Sequence, residues 1–168
     1  MSKFTGKKND LNIRIYNRPC PSLIPLLTKL CKDTLHTIYV VVNCTRYDGY
    51  GNFELAQELE LSSTDGDAGA EILVSADGKF VYGSSRGSGV VLVYQLEADN
   101  SLIKIQEYNL AGTWPRSMAI RDNMMVVVDK FGPTIQLLEV DTTTGMISGN
   151  PDNVYPTPDS PSFVDFMD

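Results

Sequence analysis

The sequence is short of the residue types from which most metal and thiol sites are built. Its 168 residues include one histidine (His36), one tryptophan (Trp114) and three cysteines (Cys20, Cys31 and Cys44). A structural zinc site takes four Cys, His or carboxylate donors at close spacing, and these cysteines have no such spacing. Their odd number reads as free thiols in a reducing compartment, so a cytoplasmic location is expected. No histidine lies near a cysteine that could serve as nucleophile, which leaves thiol catalysis without support. Long apolar runs are also missing. The longest, such as Ile38 to Val42 and Met124 to Val128, hold five residues, against the roughly 20 of a membrane-spanning helix. The opening MSKFTGKKND lacks an apolar core of the signal-peptide kind, so the formal glycosylation sequon Asn43-Cys44-Thr45 is expected to go unused. Positive charge is scarce: 14 Lys and Arg against 21 Asp and Glu give a net charge of -7. Such a chain is a poor ligand for polyanions, which argues against nucleic acid and anionic membranes as partners. The small-residue stretch GSSRGSG has no following lysine and helix, so it is no phosphate-binding P-loop. LEADNSL offers too few ligands for a calcium loop. Neither a metal nor a cofactor is expected.

What is present is the composition of one globular domain, 42% hydrophobic and 21% charged. The pattern changes near residue 35. Residues 1–35 hold three prolines and an apolar stretch, Leu23 to Leu30, that Pro25 restricts to a short helix at most. This segment has no repeat and an uncertain structure. Residues 36–168 form the second unit, with β-branched runs between turn residues, the pattern of an all-β fold. The spacing predicts strands at 37–43, 53–59, 70–75, 79–84, 89–96, 102–108, 116–120, 124–129 and 134–140. A last strand is expected at 162–166, after the proline-rich YPTPDSPSF. Asp77-Gly78 between AEILVS and KFVYGSS reads as a hairpin turn. Asp48-Gly49, Asp99-Asn100 and Thr144-Gly145 mark further turns.

An internal repeat gives the architecture. Shifted by 44 residues, 70–103 lies over 114–147 without a gap, so that Phe80 falls on Met124, Val91 on Ile135 and Ile103 on Ile147. A partial earlier copy sets FELAQELEL (53–61) over LIKIQEYNL (102–110), with Gln57-Glu58 on Gln106-Glu107. It also sets Thr37 to Val41 over Val90 to Tyr94. Four short strands per roughly 44 residues is the period of a β-propeller blade. About three blades fit into residues 36–168, fewer than the 4–8 with which propellers close. Open blade edges invite self-association.

The stretch GAEILVSADGKFVYGSSRGSGVVLVYQLEADNSLIKIQEYNLAGTWPRSMAI resembles the seven-bladed β-propeller lactonase family. That family includes propeller-type 6-phosphogluconolactonases and fungal carboxymuconate cyclases. The residues that carry the likeness are Ala70, Glu71, Ile72, Ser75, Asp77, Gly78, Tyr82, Ser84 and Arg86. Gly112, Trp114, Pro115 and Arg116 follow. The resemblance covers about residues 37–168, the C-terminal two-fifths of a typical member. It implies a partial propeller of about three four-stranded blades and a site on the central funnel. It further implies hydrolysis of 6-phosphogluconolactone to 6-phosphogluconate, a step of carbohydrate metabolism, with a small anionic sugar lactone as partner.

The family site uses an S-x-R arginine, a PRH arginine, a glutamate after a YVVNE-like strand and a histidine. Arg86 is the S-x-R arginine here. Arg116 belongs to a WPR segment one blade later, where Ser117 stands at the family's histidine. Aligning Thr37-Ile38 with Val90-Val91 puts Asp33 opposite Arg86, whereas aligning VVVNC with VVNE puts Cys44 at the glutamate position. Neither alignment supplies a glutamate.

Lactone opening requires a polarised carbonyl, a water and a base. An arginine fork suits both an oxyanion and an anionic substituent. Arg86, Asp33 and Glu71 are therefore the candidate catalytic residues, Glu71 as base or as hydrogen-bond partner of Arg86. Arg86, Arg116 and Trp114 are the candidate substrate-binding residues. For each a structural role stands beside the functional one: an ion pair for the arginines, a bridge between blades for Glu71, packing between blades for Trp114. Two other functions stay open, a carboxymuconate-type cyclase that forms a lactone, and a non-catalytic propeller acting as a binding scaffold.

Overall fold

The computed structural model describes residues 67–168 except 133, 150–152, 158–159 and 168. Before residue 67 it describes four strands as backbone, 33–34, 37–38, 40–47 and 53–62, with side chains at 57–59.

Strands β1 (Asp33–Thr34) and β2 (Thr37–Ile38) pair with each other. Strands β3 (Val40–Tyr47) and β4 (Phe53–Ser62) form an antiparallel ribbon. Next comes a four-stranded antiparallel meander of β5 (Ala68–Val74), β6 (Phe80–Arg86), β7 (Val90–Leu96) and β8 (Leu102–Asn109). A second meander holds β9 (Pro115–Arg121), β10 (Met124–Asp129) and β11 (Thr134–Val140). The outer edge of β11 pairs with two short strands, β12 (Ile147–Ser148) and β13 (Val154–Pro156). The described residues contain no helix. The fold is all-β and has the sheets of a partial propeller.

The apolar pattern explains why the sheets stack. In β6 and β7 both faces are buried, since each blade is covered on either side. One face of the β5–β8 sheet offers Phe80, Tyr82, Val91 and Val93, which pack on Met118, Met125, Val127 and Leu138 of the next sheet. The other face offers Val81, Val90, Leu92 and Tyr94, with Leu59 of β4 packed against them. The Thr144-Gly145 turn closes against the preceding sheet. Gly145 has φ +72° and sits on the Phe80 ring, leaving no room for a Cβ. Its carbonyl accepts a hydrogen bond from the Tyr82 hydroxyl at 3.1 Å.

A glutamine clasp joins successive outer strands. Gln57 on β4 donates from Nε2 to the Leu102 carbonyl (3.0 Å) and accepts the Leu102 N–H (2.8 Å). Gln106 on β8 does the same with the carbonyl (2.7 Å) and N–H (2.6 Å) of Ile147. One side chain thereby satisfies both backbone groups of the residue that opens the next outer strand, groups that are costly to bury unpaired.

The 44-residue repeat holds in the middle strands: Phe80 opens β6 and Met124 opens β10, and Val90 and Thr134 open β7 and β11. It fails in the inner strands. Leu73 pairs with Tyr82, while Ala119 pairs with Val126, so the true offset there is 46. The cause is a shorter hairpin: four residues lie between Ile120 and its partner Met125, against six between Val74 and its partner Val81. Glu71 therefore corresponds to Ser117 and Ala70 to Arg116.

The earlier copy is corrected in the same way. Cys44 faces Gln57 and, across a register shift, Thr45 faces Leu55. Val93 faces Gln106 and, across the same kind of shift, Tyr94 faces Lys104. Both strands of the ribbon thus match β7 and β8 at an offset of 49. FELAQELEL keeps its register, but the offset of 53 that set Thr37-Ile38 on Val90-Val91 does not.

The strand expected at 162–166 is also absent. Val164 alone anchors that segment by burial. Val164 packs on Ala119, Val126 and Val128, its N–H donates to Ser117 Oγ at 3.4 Å, and Arg121 donates to the Met167 carbonyl at 2.7 Å. Side chains take backbone groups that a ladder would otherwise pair.

Candidate functional site

In a meander the starts of β5, β7, β9 and β11 lie at the same end as the last residues of β6 and β10. Arg86, Glu71, Trp114 and Arg116 meet at this end.

Arg86 closes β6 on the face that carries Tyr82 and Ser84. It turns back over the start of β5, where Nε donates to the Ala68 carbonyl (3.3 Å) and Nη2 to the Gly69 carbonyl (2.7 Å). Its Cζ stands 5.7 Å from the centroid of the Trp114 ring, within the range of a cation–π contact. Glu71 is not its hydrogen-bond partner, in contrast to one expectation from the sequence. The two backbone carbonyls of β5 take that place.

Glu71 sits in the irregular stretch of β5 between Gly69 and Ile72, opposite Ser84. The Ser84 hydroxyl accepts the Glu71 N–H at 3.1 Å. From the next sheet, Ser117 Oγ donates to Glu71 Oε2 at 3.1 Å. Burial pushes the Glu71 carboxyl above the usual carboxylate range. The hydrogen bonds from Ser117 and from the Ile72 N–H, together with the charge of Arg116, pull it part of the way back. Among the described residues Arg116 forms no direct ion pair, so its link to Glu71 is a field effect. The half-buried inner strands thus bring a carboxylate with a raised pKa, a hydroxyl and an arginine side by side.

Trp114 stands immediately before β9 and is held there by Asp129, the buried last residue of β10. Asp129 Oδ2 accepts the Trp114 N–H at 2.6 Å, and Oδ1 accepts the N–H groups of Phe131 (3.0 Å) and Gly132 (2.6 Å). Gly112 passes against the same carboxylate so closely that a Cβ would collide with it. The Trp114 and Phe131 rings lie 4.9 Å apart at 49°, an attractive tilted geometry. Lys130 Nζ lies 5.5 Å from the Phe131 centroid.

The side chains of Asp33 and His36 lie outside the described residues. Asp33 itself belongs to β1, and the register of β3 and β4 removes the alignment that set it opposite Arg86. No motif marks Phe131 or Lys130 in the sequence, although the repeat holds a signal for one of them. Lys130 stands 44 residues after Arg86, at the same place in its blade. Among the described residues no three His, Cys, Asp or Glu side chains gather closely enough to hold a metal ion.

Residues 38–166 match the model of the family described as Lactonase, 7-bladed beta-propeller. A 6-phosphogluconolactonase of Bacillus subtilis (strain 168) is 28% identical over 94 residues, which is 54% of this chain and 27% of that protein. A putative 6-phosphogluconolactonase from Bacteroides fragilis superposes with a TM-score of 0.69 at 22% identity, covering 79% of this chain and 39% of its own. The periplasmic gluconolactonase PpgL of Pseudomonas aeruginosa gives 0.65 at 20% identity, covering 79% and 37%. At these identities the solved structures support the fold alone. The chain spans about a quarter of the curated relative and under half of either structure.

Proposed function

The chain belongs to the seven-bladed β-propeller lactonase family, and on that premise we propose that it opens a small anionic sugar lactone, with 6-phosphogluconolactone as substrate. The observation that carries this reading is the meeting, at one end of two adjacent sheets, of Glu71 with Ser117 and Arg116, and of Arg86 with Trp114.

In the proposed reaction a water attacks the lactone carbonyl and its proton passes to the Glu71 carboxylate. The carboxylate already accepts the Ser117 hydroxyl on Oε2 and the Ile72 N–H, and the water takes one of its remaining lone pairs. A carboxylate whose pKa is raised by burial is a stronger base than an exposed one. The negative charge that develops on the carbonyl oxygen, and that the product keeps as its carboxylate, is balanced by Arg116 and Arg86. The acyl–oxygen bond of the ring then breaks. The ring oxygen takes up the proton that Glu71 received from the water, which restores the carboxylate base, and the new carboxylic acid releases its proton to solvent to become the carboxylate of the product. Arg86 is suited to a clamp because two backbone carbonyls fix its guanidinium before any ligand arrives.

The test is hydrolysis of 6-phosphogluconolactone by the purified chain, measured above the spontaneous rate. Arg86→Ala is expected to lower kcat/KM at least tenfold, about 1.4 kcal/mol of transition-state stabilisation. The base must be ionised, so the rate should rise with pH through a midpoint above the ordinary glutamate range. Glu71→Gln should abolish that rise. An unchanged kcat/KM in Arg86→Ala removes it from the mechanism. Binding of 6-phosphogluconate without turnover would make the chain a binding propeller.

A further inference from the structure

Four side chains at the site end form a continuous row in which cations bracket two aromatic rings: Arg86, Trp114, Phe131 and Lys130. The neighbouring distances are 5.7, 4.9 and 5.5 Å. Phe131 is the most exposed large apolar side chain among the described residues, with 65% of its surface in water. That exposure contributes little to packing, yet the turn that presents it is closely fixed. The buried Asp129 carboxylate spends three hydrogen bonds on the N–H groups of Trp114, Phe131 and Gly132. Lys130 is tied at its backbone as well, its N–H donating to the Trp114 carbonyl at 3.1 Å. A chain of net charge -7 places a cation at each end of this row.

We propose that Phe131 and Lys130 extend the site outward as a docking platform for an anionic sugar. The apolar face of the sugar ring packs on Phe131, and the phosphate is held by Lys130. Asp129 is the positioning residue that sets the platform against Trp114. The occupant follows from the chemistry of the row. An aromatic surface suits the C–H face of a pyranose, and flanking cations suit a phosphate. A neutral sugar would leave the lysine unused, and a bare phosphate would leave the ring unused. The inference rests on the lactonase reading for its choice of ligand but needs no turnover for its test.

Trp114 is the only tryptophan, so its emission reports on the platform without a label. The 168-residue chain is titrated with 6-phosphogluconate and, separately, with gluconate and inorganic phosphate. A saturable change in Trp114 emission is expected with 6-phosphogluconate at a concentration at least tenfold lower than with either fragment. Phe131→Ala should weaken that binding about tenfold and Phe131→Tyr should restore it, which a merely structural role for the turn would not require. Lys130→Gln should weaken 6-phosphogluconate binding and leave gluconate binding unchanged. Asp129→Asn should weaken binding of both sugar acids and alter the emission of the free protein. In the lactonase assay, Phe131→Ala and Lys130→Gln should raise KM with kcat within twofold. Normal binding and normal KM in both variants, in an active chain, overturn the platform and leave the lactonase reading standing. Saturable binding that these variants weaken, in a chain without turnover, overturns the lactonase reading and leaves the platform standing.

Discussion

The two complete sheets are copies of one plan, and they differ most where their second strands end. Residue 85 and residue 129 hold the same place in the 44-residue repeat, and both are buried. In the first sheet the position is Ser85, whose hydroxyl finds no hydrogen-bond partner among the described residues. The residue after it, Arg86, folds back onto the carbonyls of β5. In the second sheet the position is Asp129, whose carboxylate gathers three backbone N–H groups and fixes the loop that follows. There the equivalent cation, Lys130, is turned toward Phe131. The comparison shows how a repeat acquires a site. The strands keep their pairing because the apolar layers demand it, and one buried residue at the strand end decides whether the loop is anchored.

The strongest way to break this likeness is through the layer the sheets share. Leu138 is 2% exposed and packs in the layer with Phe80, Tyr82, Val91 and Val93. Leu138→Ala should cost about 2–5 kcal/mol through lost burial and the cavity left behind. Urea unfolding followed by circular dichroism and by Trp114 emission should shift together, since one layer serves both sheets. Separate midpoints would show that the sheets unfold independently. Removing the glutamine clasp comes next. Gln106→Ala strips the Ile147 N–H and carbonyl of their partners and should cost about 1–3 kcal/mol, and Gln106→Glu, which sets a carboxylate oxygen against the Ile147 carbonyl, should cost at least as much. A neutral Gln106→Ala, measured by urea midpoint, would mean that water replaces the clasp.

The sequence made the middle strands legible because both of their faces are apolar and β-branched, which leaves the pattern little freedom. Phe80, Val81, Tyr82 and their counterparts Met124, Met125 and Val126 therefore align directly. Inner strands were misaligned by two residues because a repeat match sees side chains and not hairpin length; Asp122-Asn123 makes a tighter turn than Ser75–Lys79. The segment 162–166 reads as a strand because Phe163, Val164 and Phe166 are aromatic or β-branched and follow a proline-rich stretch. Its Val164 and Phe166 N–H groups are taken by the Ser117 and Asp165 side chains, which no periodicity reveals. In the candidate site, Arg86, Glu71 and Trp114 stood out through a motif. Asp129 and Phe131 did not, since a buried aspartate that serves three N–H groups has the same letter as any turn aspartate. The pairing of Glu71 with Ser117 crosses 46 residues, and only the corrected inner-strand offset makes the two equivalent.

The finest test of the comparison uses the two neighbouring serines of β6, both fully buried. They point to opposite faces of the sheet, as successive strand residues must. Ser84 accepts the Glu71 N–H at 3.1 Å, so Ser84→Ala leaves that donor without its acceptor and should destabilise by about 1 kcal/mol. Ser85 buries a hydroxyl with no partner among the described residues, a burden of about 1–3 kcal/mol by mutational measures. Its removal relieves that burden and leaves only a small void, so Ser85→Ala should be neutral or stabilising by up to about 1 kcal/mol. Equal destabilisation of the two variants, read as equal shifts of the urea midpoint at constant slope, would mean that the Ser85 hydroxyl has a native partner. The first sheet would then anchor its strand end much as the second does through Asp129, and the contrast between the two blades would close.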